Sequence, residues 1–244
     1  MATQQHTRRF FISDLSGDEV SPGPGEMHHA LHVLRLKAGE RVELFDGAGA
    51  VAIGIITHVD RRNVVMGVTE RRTCTPHWPR ITLAFAAPKG KRLDWLMEKA
   101  TELGVASLQQ VIFDRSPPAS KSESDAKSDK LMAHCISAAK QCGLNFLPQL
   151  PSPVGLAEII SANDSALRIL GDMSPDALGL PDVLSSSVSQ AEITLLIGPE
   201  GGLTDRERSD AVAGGFIPTR LGQTILRTET ASMAMLAATV ACTS

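Results

Sequence analysis

From Ile193 to Glu207 the chain reads as an apolar strand (Ile193-Thr194-Leu195-Leu196-Ile197), a glycine-rich turn (Gly198-Pro199-Glu200-Gly201-Gly202) and then Thr204-x-x-Glu207, the capping box that opens a helix. A wholly apolar strand has to be buried on both faces, and a strand that feeds a helix is half of the repeating unit of a parallel α/β sheet. The same grammar runs back to residue 80. Ile81–Ala86 and Leu108–Phe113 read as strands, Leu93–Leu103 as a helix ending at Gly104, and a helix over about Ser124–Cys142 ends at Gly143. Strands at Ala166–Leu170 and Phe216–Arg220, and helices over Asp205–Ala213 and about Glu229–Cys242, complete the pattern. Two segments, Ser116–Asp129 and Asp172–Gln190, carry no period and read as loops.

Ahead of residue 73 the pattern is different. Strand-like runs at Arg8–Ile12, Arg41–Phe45, Val51–Val59 and Val64–Thr69 are separated by Asp46-Gly47-Ala48-Gly49 and Asp60-Arg61-Arg62-Asn63 turns. One helix-period stretch, Glu26–Leu36, places Met27, Leu31 and Leu34 on a face. Short strands around one helix predict a small β-barrel-like domain over residues 1–72. Pro76 and Pro79 mark residues 73–80 as a linker to the α/β domain at 81–244.

Composition narrows the function. No apolar run approaches the ~20 residues of a membrane span, and the polar Met1–Arg9 segment lacks a secretory signal, which places the expected location in the cytoplasm. The four cysteines form no C-x-x-C pair, which argues against a zinc finger or a redox dithiol. Net charge is −3 but unevenly spread: neutral over 1–75, net +3 over 76–150 and net −6 over 151–244, so a polyanionic partner is not excluded. Aromatic content of 4% with no Tyr argues against an extended base-stacking platform. His28 and His32 stand at i, i+4 without a third ligand in pattern, so no metal is expected. Met233, Met235 and Leu236 read as core or dimer-interface residues.

In open α/β sheets ligands sit beyond the carboxyl ends of strands, where glycines let backbone approach them. The Gly198–Gly202 turn is in such a place, although it is neither G-x-G-x-x-G nor a P-loop, and a tight turn needing glycine only for its backbone angles is the alternative. A second loop, Leu221-Gly222-Gln223-Thr224-Ile225-Leu226-Arg227-Thr228-Glu229-Thr230-Ala231, joins a strand to the last helix. Either it holds ligand, or Thr228 caps the helix while Arg227 and Glu229 pair with neighbours. Two such loops on one sheet favour a shared pocket.

These loops carry a resemblance. Together with Arg8-Arg9-Phe10-Phe11, His28-His29-x-x-x-Val33-Leu34-Arg35-Leu36-Lys37-x-Gly39, Pro88-Lys89-Gly90, Glu98-Lys99-Ala100-Thr101-Glu102-Leu103-Gly104-Val105, Arg115-Ser116 and Gln141-Cys142-Gly143, they make nearly the whole chain similar to the RsmE-like family of 16S ribosomal RNA (uridine-N3) methyltransferases, SPOUT class. The resemblance implies a PUA-like β-barrel for RNA, a C-terminal SPOUT α/β domain with a deep trefoil knot, and a homodimer. It implies S-adenosylmethionine held by Leu170, Gly171, Ile197, Gly198, Pro199, Gly201 and Gly202 and by Leu221, Gly222, Ile225, Leu226 and Thr230 of the second loop. Arg227 is the candidate donor to the uracil, with Glu229 or Glu200 orienting it or receiving the proton. Candidate RNA contacts, to 16S rRNA or the assembled small subunit, are Arg8, Arg9, Arg35, Lys37, Lys89, Lys91, Arg92 and Arg115, with one base extruded into the pocket.

The chain also departs from the family pattern. Gln223-Thr224 stands where Pro-Arg is common, and Lys140 and Leu144 flank Gln141-Cys142-Gly143 where an acid and an arginine are usual. These departures keep open an RNA-binding ribosome-assembly factor of the same fold with little or no catalysis.

Overall fold

The computed structural model describes residues 8–28, 30–31, 34, 36–76, 79–116, 125–162, 166–185 and 191–243. Two compact units emerge, one of Met1–Pro76 with Ala139–Leu147 and the other of His77–Ala138 with Pro148–Ser244.

The first unit contains β1 (Arg9–Phe11), β2 (Glu19–Val20), α1 (Pro24–His28), β3 (Arg41–Phe45), β4 (Ala50–Val59) and β5 (Val64–Thr73). They form a five-stranded sheet in the order β1-β3-β4-β5-β2, antiparallel except for the parallel β1–β3 pair. Phe10, Val42, Leu44, Ile56, Val64 and Met66 are fully buried in its core, and Met27, Leu31 and Leu34 pack against it. The β3–β4 turn follows from one carboxylate: Asp46 Oδ1 accepts from the amides of Ala48 (2.7 Å) and Ala50 (2.9 Å). The helix expected from Glu26 starts at Pro24, a residue whose fixed φ suits the first helical position. Of the 26–36 span, residues 29, 32, 33 and 35 lie outside the described residues, so His32 and Arg35 are not placed.

Arg9 holds the returning segment Ala139–Leu147. Its guanidinium donates to the carbonyls of Ala139 (2.9 Å) and Leu144 (3.1 Å) and to Asn145 Oδ1 (2.6 Å), pairs with Glu43 (2.6 Å) and lies 4.5 Å over the Phe45 ring. The two departures flanking Gln141-Cys142-Gly143 are accommodated here. Lys140 pairs with Glu26 at 2.8 Å, and Leu144 packs with Phe45, Val51 and Leu147.

The second unit contains β6 (Arg80–Ala86), α2 (Lys91–Glu102), β7 (Ser107–Ile112), α3 (Asp125–Cys142), whose last turn belongs to the first unit, β8 (Val154–Gly155), α4 (Leu156–Ser161), β9 (Leu167–Gly171), β10 (Leu178–Gly179), α5 (Leu180–Ser185), β11 (Glu192–Ile197), α6 (Asp205–Ala213), β12 (Ile217–Arg220) and α7 (Thr228–Thr243). The sheet is parallel throughout, in the order β10-β12-β9-β11-β6-β7-β8. Residues 193–197 of β11 are all buried, as a strand covered on both faces requires. On one side Ala84, Ala86, Leu170 and Leu196 pack with Leu156, Ala211 and Phe216; α7 lies against β6 and β11 and packs with α2 and α5.

The span Asp172–Gln190, expected as loop, instead carries β10 and α5, and Val154–Ser161 carries β8 and α4. Elements of two to six residues contain too little chain for a period to register; their form comes from edge pairing and from Leu156, Leu180, Val183 and Leu184 entering the interior.

Candidate functional site

Sheet register decides which loops meet. Leu196 of β11 lies opposite Leu170 of β9, and Gly171 of β9 lies opposite Thr219 of β12, so the chain leaves three adjacent strands at one edge. Between these exits and the first turns of α7 is a cavity of about 440 Å³.

Its walls are the residues expected from the two glycine loops. Leu170 and Gly171 form one side, and Ile197, Gly198, Pro199, Glu200, Gly201 and Gly202 the second. Leu221, Gly222, Ile225 and Leu226 form the third, with Thr224 beside them. Thr230 and Arg227 are exposed and do not line it, and Glu229 is buried and does not line it either. Sequence reasoning missed Asp172, Arg208, Thr219, Thr228 and Met235, all on the wall. Met235, expected only as core or interface, is buried and faces the cavity. No local signal marks these side chains, because their partners are distant in sequence.

The glycines answer to geometry. Gly202 has φ of 71° and donates its amide to Pro199 O at 2.8 Å, closing the turn in the left-handed region. A Cβ on Gly198 would come within 2.2 Å of Leu203 Cδ1, another residue of the wall. Three side chains then fasten the loops. Arg115 Nη1 donates to Gly201 O at 2.8 Å. Thr228, the first residue of α7, donates its hydroxyl to Gly198 O at 3.2 Å, so the residue expected as a possible helix cap joins the two glycine loops. Arg208 pairs with Asp172 (2.7 Å) and Asp176 (2.8 Å) and donates to Ser174 Oγ (2.7 Å), tying the 172–176 segment after β9 to α6.

Two carboxyls here are held ionised. Burial pushes the Asp172 carboxyl up, but the Ser174 hydroxyl and the Arg208 guanidinium outweigh it and leave it below the usual aspartate range. Burial likewise raises Glu207, and the amides of Thr204 and Asp114 with the Thr204 hydroxyl bring it below the usual glutamate range. The expected capping box is therefore present, and Glu207 accepts from Thr204 N (2.8 Å), Thr204 Oγ1 (2.9 Å) and Asp114 N (2.8 Å).

The candidate RNA cations separate into three groups. Lys89 and Lys91 are exposed around the start of α2, Lys37 is exposed, and Arg8 is partly exposed in a pair with Glu40. Arg9 is a correction: only 9% of its side chain is exposed, and the contacts described above leave it no face for a phosphate. Arg92 and Arg115 are engaged with the glycine turn, Arg92 through Glu200. Among the described residues no group of three or more His, Cys, Asp or Glu could hold a metal ion, and no helix is long and apolar enough to cross a membrane.

Residues 76–240 match the family model of the RNA methyltransferase domain, and residues 23–66 that of the RNA methyltransferase PUA domain. Ribosomal RNA small subunit methyltransferase E of Synechocystis is 30% identical over 87% of this chain and 69% of its own length. The chain belongs to the ribosomal RNA small subunit methyltransferase E family. The Bacillus subtilis member is 26% identical over 95% of both chains. The Neisseria gonorrhoeae methyltransferase E, crystallised with S-adenosyl methionine, superposes with a TM-score of 0.83 and 28% identity over 96% of both chains. The molecule is thus a mixed α/β protein of this family, with a PUA-like N-terminal domain and a parallel-sheet methyltransferase domain.

Proposed function

We propose that this chain transfers a methyl group from S-adenosylmethionine to N3 of a uridine in 16S ribosomal RNA of the small subunit. The observation that carries the reading is the convergence of three strand exits on one cavity of about 440 Å³, within the ~300–1,000 Å³ range of small-molecule pockets. The residues suit the cofactor. Backbone of Gly198–Gly202 and Leu221–Gly222 offers amides and carbonyls to an adenine and ribose, and Ile197, Leu226 and Met235 offer apolar surface. A Cβ at Gly198 would push Leu203 Cδ1 off its place on the cavity wall.

Bound S-adenosylmethionine supplies an electrophilic methyl carbon on a sulfonium. The work of the chain is alignment and charge. Arg227 donates to the uracil carbonyls as negative charge builds on the ring, and Glu229 or Glu200 accepts the N3 proton. Lys89, Lys91 and Arg8 hold RNA phosphates.

The same reading divides the chain into a PUA-like β-barrel (1–72), a linker (73–80) and a SPOUT domain (81–244), in the cytoplasm. A trefoil knot is supported by β12 lying between β9 and β10, strands joined by only a short connection, which the path into α7 would thread. A homodimer is supported by α7, which from Thr230 to Thr243 carries no charged residue although Thr230, Ala237, Ala241 and Cys242 are exposed, and by Ile225, 88% exposed on the cavity loop.

The test is transfer of labelled methyl to small subunits lacking the modification, with the nucleoside identified and Arg227→Ala in parallel. Label in N3-methyluridine that is lost in Arg227→Ala is the expected result. Cofactor binding without label points to another substrate, and absence of both to a non-catalytic RNA-binding factor.

A further inference from the structure

Arg92 stands in the first turn of α2, where the helix dipole disfavours a cation. Two carboxylates offset that cost. Arg92 Nη1 hydrogen-bonds Glu200 Oε1 in the glycine turn and lies 3.6 Å from Glu229 Oε1 in the first turn of α7. The hydrogen bond and charge of Glu200, followed by the charge of Glu229, raise the Arg92 pKa above its ordinary value. The partners differ in exposure: the Glu200 side chain is 57% exposed and that of Glu229 only 10%. Glu229 Oε2 is buried with no hydrogen-bond partner among the described residues. A nearly buried carboxylate with one oxygen unpaired relies on the charge beside it, here the Arg92 guanidinium 3.6 Å from its other oxygen.

We propose that Arg92 is a positioning residue for methyl transfer, spanning Glu200 on the cavity wall and Glu229 in the first turn of α7 so that α2 fixes the glycine turn and the start of α7 relative to each other. This rests on the function proposed above and changes the role of Arg92 from phosphate contact to internal clamp. Both contacts are made by Nη1, and the delocalised guanidinium keeps its charge at any working pH. Arg92 remains protonated throughout: it holds the two carboxylates and exchanges no proton with the uracil.

The experiment compares wild type, Arg92→Met, Arg92→Lys and Glu200→Gln in methyl transfer to unmodified small subunits, with cofactor binding by calorimetry and RNA affinity measured across salt concentrations. Arg92→Met is expected to lower kcat on the order of 100-fold, the cost of a misplacement of about 1 Å at the reacting groups, while KM for RNA, cofactor affinity and the salt dependence of RNA binding stay at wild-type values. Arg92→Lys restores part of kcat. Glu200→Gln, which leaves the Arg92–Glu229 pair, lowers kcat less than Arg92→Met and covers the case in which Arg92→Met does not fold. The inference is overturned if the loss appears in KM for RNA with a salt slope shallower by about 1, the signature of a lost phosphate contact, or if kcat is unchanged in every variant. A wild type that binds cofactor and RNA but yields no labelled uridine overturns the proposed function itself, and this inference with it.

Discussion

The Thr228 hydroxyl donates to the carbonyl of Gly198 at 3.2 Å, fastening the start of α7 to the turn that follows β11. The two residues are 30 positions apart in the chain, and both line the same cavity. Replacing the buried hydroxyl by a methyl leaves the Gly198 carbonyl without this donor. Thr228→Val is expected to cost about 1 kcal/mol of stability and to weaken S-adenosylmethionine binding several-fold, read by denaturant unfolding and calorimetry. Unchanged affinity with reduced stability would restrict Thr228 to a structural role.

Gly198 tests the cavity by filling it. In Gly198→Ala the new Cβ drives Leu203 off its position, since Leu203 Cδ1 lies 2.2 Å from where that carbon would sit, and the displaced side chain stands on the cavity wall. Cofactor affinity is expected to fall at least tenfold, about 1.4 kcal/mol. The double variant Gly198→Ala, Leu203→Ala should recover much of it, because the obstructing atoms are gone. Failure of the second change to help would mean that the backbone at Gly198, rather than Leu203, is what alanine disturbs.

Arg9 should behave as an interior residue. Arg9→Leu strands the carbonyls of Ala139 and Leu144, the Asn145 side chain and the Glu43 carboxylate at once, which predicts a loss on the order of 3 kcal/mol in denaturant unfolding. The salt dependence of RNA binding should not change. A slope shallower by about 1 with little loss of stability would restore Arg9 to the RNA surface.

Acid should loosen the glycine turn through Glu207. Its folded-state pKa lies below the ordinary 4.5, so the folded chain binds this proton less readily than the unfolded chain. The stability it contributes is complete above the unfolded value and is lost as pH falls through the folded one. Asp172, depressed from 3.8, acts in the same direction at slightly lower pH. Urea midpoints should therefore fall between roughly pH 5 and pH 3 more steeply for wild type than for Glu207→Gln, which starts about 2 kcal/mol lower at neutral pH. Parallel curves would show that other carboxylates dominate the acid limb.

The sequence by itself determined the class of the second domain and the identity of most cavity walls. Apolar runs such as Leu195-Leu196-Ile197, the Thr204–Glu207 capping box and the glycine turns are local signals, set by burial periodicity and by backbone chemistry within a few residues. They place strands, turns and helix starts where the structure has them. The short elements α4, α5, β8 and β10 were illegible because they exist only through edge pairing and burial supplied by the rest of the sheet.

Only the tertiary structure decided which charges meet. Arg92 finds Glu200 across 108 positions, Arg208 finds Asp172 across 36, and Arg9 finds Asn145 across 136. Each arginine looks alike in sequence, as a surface cation open to phosphate. Strand order separates them, because neighbours in a parallel sheet come from distant parts of the chain, and the strength of a charge pair depends on distance and burial that no local pattern carries.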